Sequence, residues 1–495
     1  MKFNECARSV RNRFLSSIFV ACTMTFVAHG PAQSAAAPAQ SSKGVTTALM
    51  VSDIHFEPFW DSEKTVKLAA APVAEWKGIF SAPDSPEREI AFAALEQKCK
   101  TRGEDTTYAL FGSSLRAMNH DASDAKFVTV SGDLIAHSFD CKFKAVFPKS
   151  APGDYSAFVE KTIEFVIGSL REALPDVPVY AALGNNDSDC GDYDLDPNSD
   201  FLAAIGKTLT ADVPTQERRN AEKDFAAGGY YEVSLPAPMT HARLIVLDDL
   251  FMSRHYKTCG GADDETEAAA QISWMKRQLE GARRKNEKIW VMAHIPPGVD
   301  AYSTASKGVN ICGGKDPTMF LSSEELPETI ADYGDVVKLA IFAHTHMDEL
   351  RLLESANTGG VPKEVAAKLV PSISPINGNN PSFTVARVDA ETGTLKDYRV
   401  IAASNATGAD TKWSDEYDFA RTYGGADFSA NSVERLIGAF AGDVAGETGA
   451  SQSYIRNYQL SAGPRDLKMF WPQYTCMLKH HNGKSFSECV CGTKP

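Results

Sequence analysis

Seven short runs of apolar residues are spread along the chain and are separated by longer, more polar stretches. The runs are rich in Val, Ile and Ala and apolar nearly throughout, which is typical of strands buried on both faces. They read TTALMVSD, KFVTVSGD, VPVYAALGNND, ARLIVLDD, KIWVMAHIP, KLAIFAHTH and SFTVARVD. Residues 155–174 and 264–284 are amphipathic and are predicted to be helices. This alternation predicts an α/β fold.

The pattern changes near residue 400. Beyond that point the strand signals stop, and short helical segments such as SANSVERLIGAF and SQSYIRNYQL appear. We therefore predict an α/β domain at 45–400, followed at 401–495 by a small helical C-terminal module that contains disulfides. Two domains agree with a chain of 495 residues, given a prior of one domain per ~150 residues.

The N-terminal segment has the pattern of an export signal. Basic residues precede the apolar run FLSSIFVACTMTFVA, and small residues that suit cleavage follow it. The run is too short for a membrane span. We therefore predict a signal peptide at 1–35, a linker at 36–44, and a secreted or periplasmic location.

Cysteine usage agrees with export. Eight cysteines remain beyond the predicted signal peptide: Cys99, Cys141, Cys190, Cys259, Cys312, Cys476, Cys489 and Cys491. An even number in an oxidising compartment predicts up to four disulfides, although the sequence does not give their pairing. The alternative is a zinc site at Cys476, Cys489 and Cys491.

The charge balance restricts the class of partner. The chain has 50 Lys and Arg against 64 Asp and Glu, a net charge of −14. Nucleic-acid binders present basic stripes, and none is visible in this sequence, so a nucleic-acid polymer is not an expected partner. A bound cation would have to provide any positive site for a small anionic ligand.

Polar residues stand where nearly every predicted strand ends. Open α/β sheets bind ligands at the carboxyl ends of their strands. The residues in question are Asp53 and His55 in VSDIHFEP, Asp133 in VSGD, Asn185 in LGNND, His294 in MAHIPPG, and His344 and His346 in FAHTH. Two residues at i and i+2 on an extended chain point the same way, so both members of such a pair can face one ion. Carboxylates and imidazoles together suit divalent first-row metals.

The order D-x-H, G-D, G-N-x-D, H and A-H-x-H resembles that of the calcineurin-like metallophosphoesterases. More narrowly, GDLIAH, HIPPG, PSISPINGNNPSFTVARVD and WSDEYDFARTYG are similar to segments of the acid sphingomyelinase-like phosphodiesterases. The resemblance implies a metallophosphoesterase-type β-sandwich flanked by helices, with residues 45–400 as the catalytic domain. It also implies two divalent metal ions, usually zinc in secreted members, with manganese and iron as alternatives.

The resemblance further implies a role for each strand-end residue. Asp53, His55 and His346 would hold one ion, Asn185, His294 and His344 would hold the other, and Asp133 would bridge the two. A metal-activated water would then attack phosphorus. The expected substrates contain phosphodiester or phosphoanhydride bonds, as in sphingomyelin-like lipids or nucleotides, and a lipid substrate would bring peripheral membrane contact. The sequence leaves the oligomeric state open.

Asn186 departs from the family pattern, which usually has a histidine at this place. An amide cannot give up a proton at neutral pH. We therefore expect His137, in GDLIAH, to act as the catalytic acid, and Asn186 to orient the phosphate. The alternative is a protein of the same fold with weakened catalysis, which binds metal and captures a ligand.

Overall fold

Two six-stranded sheets form the framework of the protein. The computed structural model describes residues 44–151, 153–355, 363–425, 427–463 and 465–492. The described strands are β1 (Val45–Val51), β2 (Ala125–Val130), β3 (Val179–Ala181), β4 (Tyr231–Ser234), β5 (Ala242–Val246), β6 (Lys288–Met292), β7 (Val337–Phe342), β8 (Glu349–Glu354), β9 (Glu364–Leu369), β10 (Ser382–Asp389), β11 (Leu395–Ala403) and β12 (Trp413–Asp418). The first sheet has the order β12-β11-β10-β1-β2-β3, and the second has the order β4-β5-β6-β7-β9-β8.

Helices connect the strands and complete the C-terminal region. They are α1 (Ser62–Ala70), α2 (Trp76–Ser81), α3 (Arg88–Cys99), α4 (Tyr108–Asp121), α5 (Phe139–Val146), α6 (Asp154–Ala173), α7 (Asp200–Leu209), α8 (Thr215–Gly228), α9 (Thr266–Lys285), α10 (Ala301–Ser306), α11 (Glu325–Asp332), α12 (Phe419–Tyr423), α13 (Ala430–Ala441), α14 (Gly449–Tyr458), α15 (Arg465–Met469), α16 (Trp471–Met477) and α17 (Gly483–Gly492). Short 3-10 turns lie at Val73–Glu75, Asp249–Met252 and Ile311–Gly313.

Parallel pairing brings several strand ends together. In the first sheet β1, β2 and β3 run parallel, while β10, β11 and β12 continue the sheet in antiparallel order from β1. In the second sheet β5, β6, β7 and β9 run parallel, with β4 and β8 antiparallel at the two ends. The carboxyl ends of β1 to β3, and of β6 and β7, therefore lie at one edge of each sheet, where ligands bind in such folds.

The two sheets bury apolar side chains between them and beneath helices. Alternate residues of β6 face opposite sides of the sheet. Trp290 and Met292 pack into the core shared with β1 and β2. Ile289 and Val291 pack on the opposite face, in a second core with residues of α9 and α11. The indole of Trp290 meets the ring of Phe127 with 5.6 Å between centroids. The period-two alternation of a strand thus places one layer inside the sandwich and one beneath its outer helices.

These elements confirm the predicted fold class and correct part of its outline. All seven predicted strands are present, and α6 and α9 occupy the two predicted helical stretches. The expectation that strands stop near residue 400 is wrong, since β11 runs to Ala403 and β12 adds an edge strand at Trp413–Asp418. The described part of the chain beyond β12 is helical, from α12 to α17, as the C-terminal pattern predicts.

Two predictions concern the N-terminus and the membrane. The predicted signal peptide at 1–35, and all of the predicted linker except residue 44, lie outside the described residues. Among the helices of the described ranges, none combines the length and the apolar character that crossing a membrane requires.

Candidate metal centre

The predicted site residues lie just beyond strand ends and come from both sheets. Asp53 and His55 follow β1, Asp133 and His137 follow β2, and Asn185 and Asn186 follow β3. From the second sheet, His294 follows β6, while His344 and His346 follow β7. The structure brings all nine side chains to one place, since each makes a ring contact, an ion pair or a hydrogen bond to another of the set.

The backbone of these residues differs from the extended chain that the sequence suggested. Asp53, His55, Asp133, His344 and His346 all have positive φ, between 45° and 69°. The two residues of each i, i+2 pair do face the same centre, but the left-handed backbone and not an extended chain places them there. Non-glycine residues in this region cost ~1–3 kcal/mol each and cluster at functional sites. The surrounding structure holds the conformation: the N–H groups of Asp53 and His55 donate to the carbonyls of Gly132 and Asp133 at 3.1 and 2.9 Å.

Two glycines permit the loops after β2 and β3 to approach each other. A Cβ on Gly184 would lie 2.2 Å from Oδ1 of Asp133 and 2.4 Å from its backbone nitrogen. A Cβ on Gly132, whose φ is +94°, would lie 2.7 Å from the nitrogen of Gly184 and 2.8 Å from Nδ1 of His294. Both positions therefore require glycine because other residues of the centre occupy the space of a side chain.

The first group of ligand atoms surrounds the side chains of Asp53, His55 and His346. The two Nε2 atoms of the histidines are 3.1 Å apart. Oδ1 of Asp53 lies 3.5 Å from Nε2 of His346 and 3.9 Å from Nε2 of His55. Nε2 of His55 also lies 3.3 Å from Oδ2 of Asp133, which joins this group to the next.

The second group surrounds the same oxygen from the other side. Nε2 of His294 lies 3.2 Å from Oδ2 of Asp133 and 3.2 Å from Oδ1 of Asn185. Nδ1 of His344 lies 3.3 Å from Nε2 of His294. Asp133 therefore belongs to both groups through one carboxylate oxygen, which is the arrangement expected of a bridging ligand.

The atoms that face inward are nitrogen and oxygen atoms that can donate electron pairs. Nδ1 of His55 and Nδ1 of His294 face the carbonyls of Ile135 and Ser131, at 3.0 and 2.7 Å, so each must carry the proton. Nε2 of His55 then presents a lone pair to the centre, and Nε2 of His294 does so once its second proton is released. Oδ1 of Asp53 is buried and has no hydrogen-bond partner. Nitrogen and oxygen donors that converge on one buried point fit divalent cations.

Burial sets the protonation of the histidine ligands. It lowers the pKa of His55 to about 4 and that of His344 to about 3, and it lowers the pKa of His346 well below the usual range. For His294 burial acts in the same direction, but the neighbouring Asp133 carboxylate raises its pKa to about 10. Three of the four histidines are therefore neutral at pH 7 in this cluster, which is the form that binds a metal ion.

Several residues that orient the ligands were not found from the sequence. The carboxylate of Asp187 accepts N–H groups from Gly184 and from the loop after β2, at 2.7–3.1 Å, and so ties the loops after β2 and β3 together. Asp249 accepts the N–H groups of His294 and Ile295 in the same way. Asp187 directly follows the GNN motif, but nothing in the sequence links it to the loop after β2. Asp249 is the last residue of the run ARLIVLDD, so its position at the end of a strand could have indicated that it belongs to the site.

Two further residues orient the second group. The side-chain amide of Asn185 donates to Asp192 at 2.7 Å, which turns Oδ1 of Asn185 toward the ligand cluster. The hydroxyl of Tyr193 lies 3.2 Å from Nε2 of His344, which leaves Nδ1 of His344 to face the cluster. Such contacts to ligating side chains set their orientation and typically change metal affinity 10–100-fold.

His137 stands beside the first group and is held by a buried carboxylate. Its ring stacks on His55 with 3.9 Å between centroids, and one of its ring nitrogens lies within 4.8 Å of ligand atoms of His55 and His346. Asp105, which is fully buried, lies 3.0 Å from Nδ1 of His137 and accepts its backbone N–H at 2.8 Å. Burial alone would lower the pKa of His137, but Asp105 outweighs burial and raises it. Asp105 is 32 positions before His137, so the sequence offered no pairing signal.

Asn186 faces the bridging carboxylate. Its backbone N–H donates to Oδ1 of Asp133 at 2.9 Å, and its side-chain amide donates to Oδ2 at 3.0 Å. Asn186 is buried, with 5% of its surface exposed. The two adjacent asparagines thus have different contacts, since Asn185 faces His294 and Asn186 faces Asp133.

The cysteines form four disulfides, as many as the sequence allowed. The pairs are Cys99–Cys141, Cys190–Cys259, Cys312–Cys491 and Cys476–Cys489. The alternative zinc site at Cys476, Cys489 and Cys491 is therefore wrong, because a sulfur in a disulfide has no thiolate to offer a metal.

Comparisons with known proteins agree with the motifs. A family model described as calcineurin-like phosphoesterase matches residues 46–348, more than half of the chain. The chain therefore belongs to the calcineurin-like phosphoesterase family, which confirms the predicted class of enzyme.

Relatives at low identity fall in the narrower group that the motifs suggested. The chain is 25% identical over 410 residues to acid sphingomyelinase-like phosphodiesterase 3b of Homo sapiens, which covers 79% of this chain and 82% of that protein. It is 22% identical over 474 residues to cyclic GMP-AMP phosphodiesterase SMPDL3A of Mus musculus, with coverage of 92% and 94%. It is also 25% identical over 299 residues to sphingomyelin phosphodiesterase of Homo sapiens, with coverage of 57% and 43%.

Proposed function

We propose that this protein is an extracytoplasmic phosphodiesterase with two divalent metal ions, which hydrolyses small phosphodiesters or phosphoanhydrides. The observation that carries the proposal is the pair of ligand groups joined at Oδ2 of Asp133, 3.3 Å from Nε2 of His55 and 3.2 Å from Nε2 of His294. A carboxylate oxygen shared between two sets of nitrogen and oxygen donors is the hallmark of a two-metal site for displacement at phosphorus.

Each ligand group would hold one ion. Asp53, His55 and His346 would hold the first, Asn185, His294 and His344 would hold the second, and Asp133 would contact both. When bound, divalent ions lower the pKa of water toward neutrality and offset the negative charge of a phosphoryl group. Nitrogen-rich donor sets with carboxylates favour zinc, with manganese and iron as alternatives. The protein contributes a buried, pre-arranged set of donors, so little rearrangement is needed when the ions enter.

His137 would supply the proton that leaves with the alcohol product. Its contact with Asp105 assigns one proton to Nδ1 and raises its pKa, so the protonated ring carries the proton that it would transfer on Nε2 and would become neutral on giving it up. Its side chain is 29% exposed, whereas the side chains of the neighbouring ligands His55 and His346 are 0% and 2% exposed. A group that is reachable from solvent and held beside the ions is suited to general acid catalysis, which contributes typically ~10²–10⁴-fold.

The substrate class follows from charge and from the relatives. A net charge of −14 opposes a long polyanion, whereas a small phosphodiester needs only the local positive charge of the ions. The relatives are named for sphingomyelin and for cyclic GMP-AMP, both of which contain phosphodiester bonds. We therefore propose sphingomyelin-like lipids and nucleotides as candidate substrates, with peripheral membrane contact when the substrate is a lipid.

Export is part of the same proposal. Four disulfides lie within the described residues, and structural disulfides persist in oxidising compartments. A secreted or periplasmic location would also allow the protein to meet dispersed lipids or extracellular nucleotides.

The test is a substrate panel on metal-replete protein, with metal content measured in parallel. The panel contains sphingomyelin, ATP, a cyclic dinucleotide, a phosphomonoester and bis-p-nitrophenyl phosphate. We expect two ions per chain, turnover of at least one diester or anhydride, and loss of turnover after chelation that is restored by added metal. No turnover of any substrate by protein that holds two ions would overturn the proposal. That result would favour the ligand-capture alternative, which the replacement of the family histidine by Asn186 suggests.

A further inference from the structure

The contact between Asn186 and Asp133 involves both oxygens of the carboxylate that joins the two ligand groups. The backbone N–H of Asn186 donates to Oδ1 at 2.9 Å, and the side-chain amide donates to Oδ2 at 3.0 Å. Oδ2 is also the atom that lies closest to His55 and His294. Asn186 therefore restrains both the position and the rotation of the carboxylate that joins the two ligand groups.

Hydrogen bonds hold the loop that contains Asn186 next to Asp133. Asp187 accepts N–H groups from Gly184, Leu134 and Ile135, so it joins the loop that contains Asn186 to the residues that follow Asp133. The N–H of Ser188 donates to the carbonyl of Asn186 at 2.9 Å, which closes the turn. The lack of a Cβ at Gly184 is what allows the two loops to meet at this distance.

The chemistry of an amide suits this position. Asp133 is 1% exposed, so a carboxylate rotated away from the shared point would find no water to replace its lost partners. The amide of Asn186 donates a hydrogen bond to the negative oxygen but carries no charge of its own. It can therefore restrain the carboxylate without adding a positive charge that would repel the cations.

We infer that Asn186 is a positioning residue for the bridging carboxylate of Asp133 and that its amide is committed to this contact, not to the substrate phosphate. The inference rests on the proposed function for the presence of two ions. It replaces the expectation from the sequence that Asn186 orients the phosphate. Its direct consequence is that loss of the amide weakens metal binding and leaves binding of phosphate to the loaded centre unchanged.

The experiment compares Asn186→Ala and Asn186→Leu with the unmodified full-length protein. Both variants remove the side-chain donor to Oδ2 and keep the backbone N–H. Leucine also keeps most of the volume, so a loss shared by both belongs to the side-chain hydrogen bond and not to a cavity. Asn119→Ala, on the exposed surface of α4, is the matched control. Isothermal titration of metal-free protein with Zn²⁺ and Mn²⁺ gives the affinity, and competitive inhibition by inorganic phosphate at saturating metal gives Ki.

We expect at least one ion to bind ~10-fold or more weakly in both variants, as for other residues that orient metal ligands. At saturating metal, Ki for phosphate and KM for a chromogenic diester should stay within twofold of the unmodified protein. Unchanged metal affinity in a folded variant would overturn the inference, whether or not Ki rises. Metal titration needs no turnover, so an inactive but metal-binding parent protein would refute the proposed function and leave this inference open to the same measurement.

Discussion

The carboxylate of Asp105 lies 3.0 Å from Nδ1 of His137 and accepts the backbone N–H of the same residue at 2.8 Å. Asp105 is itself held by the hydroxyl of Ser374 at 2.8 Å and by Lys142, whose ammonium is buried and paired with Glu57. Burial would raise the pKa of Asp105, but His137 and the other cations nearby hold it well below the usual range. A permanently ionised carboxylate thus fixes the ring and the tautomer of the proposed acid.

Replacement of Asp105 by asparagine should therefore reduce turnover without removing metal. An amide presents one acceptor where His137 needs two, so the ring loses its defined orientation and tautomer. We expect kcat to fall ~10²-fold or more, within the range of general acid catalysis, with two ions still bound. The measurements are kcat on bis-p-nitrophenyl phosphate and metal content by mass spectrometry.

A double variant distinguishes positioning from an independent role. If Asp105 acts through His137, Asp105→Asn combined with His137→Ala should be no slower than His137→Ala alone, because residues that act as one unit are not additive. If the fold losses in kcat of the two single variants multiply in the double variant, Asp105 affects turnover independently of His137. Asp124→Asn, which changes an exposed carboxylate, is the control.

Tyr193→Phe should weaken the second ion specifically. The change removes the hydroxyl that lies 3.2 Å from Nε2 of His344 and keeps the ring. We expect an affinity loss of ~10-fold for one ion of the pair, since contacts that orient a ligating histidine have effects of this size. Calorimetric titration with Zn²⁺ measures it, with Tyr302→Phe, an exposed tyrosine, as control. Equal weakening of both ions would mean that His344 does not belong to one site alone.

The sequence was most informative where strands end. Asp53, His294 and His346 could be found because each follows a run of apolar residues that only a buried strand explains, and parallel strands share an edge. The left-handed backbone of Asp53 and His55 could not be found in this way. It depends on hydrogen bonds to the loop after β2, which is about eighty residues further along the chain.

Two of the five described strands that the sequence did not predict, β8 and β9, contain buried charges. β8 includes Arg351 and β9 includes Lys368, exposed by only 2% and 0%. Arg351 pairs with Glu349, and Lys368 pairs with Asp348. Charged residues in a sequence usually indicate a segment exposed to solvent. In β8 and β9 the charged residues are buried because each is paired with a carboxylate. The partners could only be recognised once the strands were placed side by side.

Glu267 should make stability depend on pH. Burial, with a contribution from Asp264, raises its pKa from 4.5 to about 7, and one of its oxygens is buried without a partner. The folded protein then binds this proton more tightly than the unfolded chain, so the free energy of unfolding falls as pH rises from about 4.5 to about 7. Glu267→Gln should remove this loss, so the variant should be more stable than the parent at pH 8.

The measurement is the melting temperature of both proteins between pH 4.5 and 8. The two curves should converge at pH 4.5 and separate steadily as pH rises, with the Gln variant more stable. Glu265→Gln, which changes an exposed carboxylate two residues away, should follow the parent curve. Parallel curves for Glu267→Gln and the parent would show that this carboxyl does not titrate differently on folding.

The disulfide between Cys312 and Cys491 should contribute more to stability than the one between Cys99 and Cys141. The first closes a segment of 179 residues and ties α17 to the turn at Ile311–Gly313, whereas the second closes a segment of 42 residues. In the chain-entropy model the longer loop stabilises by about 1 kcal/mol more, because its closure removes more freedom from the unfolded chain. Paired alanine variants of each disulfide, unfolded with guanidinium under identical conditions, give the two free energies. An equal or larger loss for the Cys99–Cys141 pair would show that local packing around α3 and α5, and not chain entropy, sets the contribution of that disulfide.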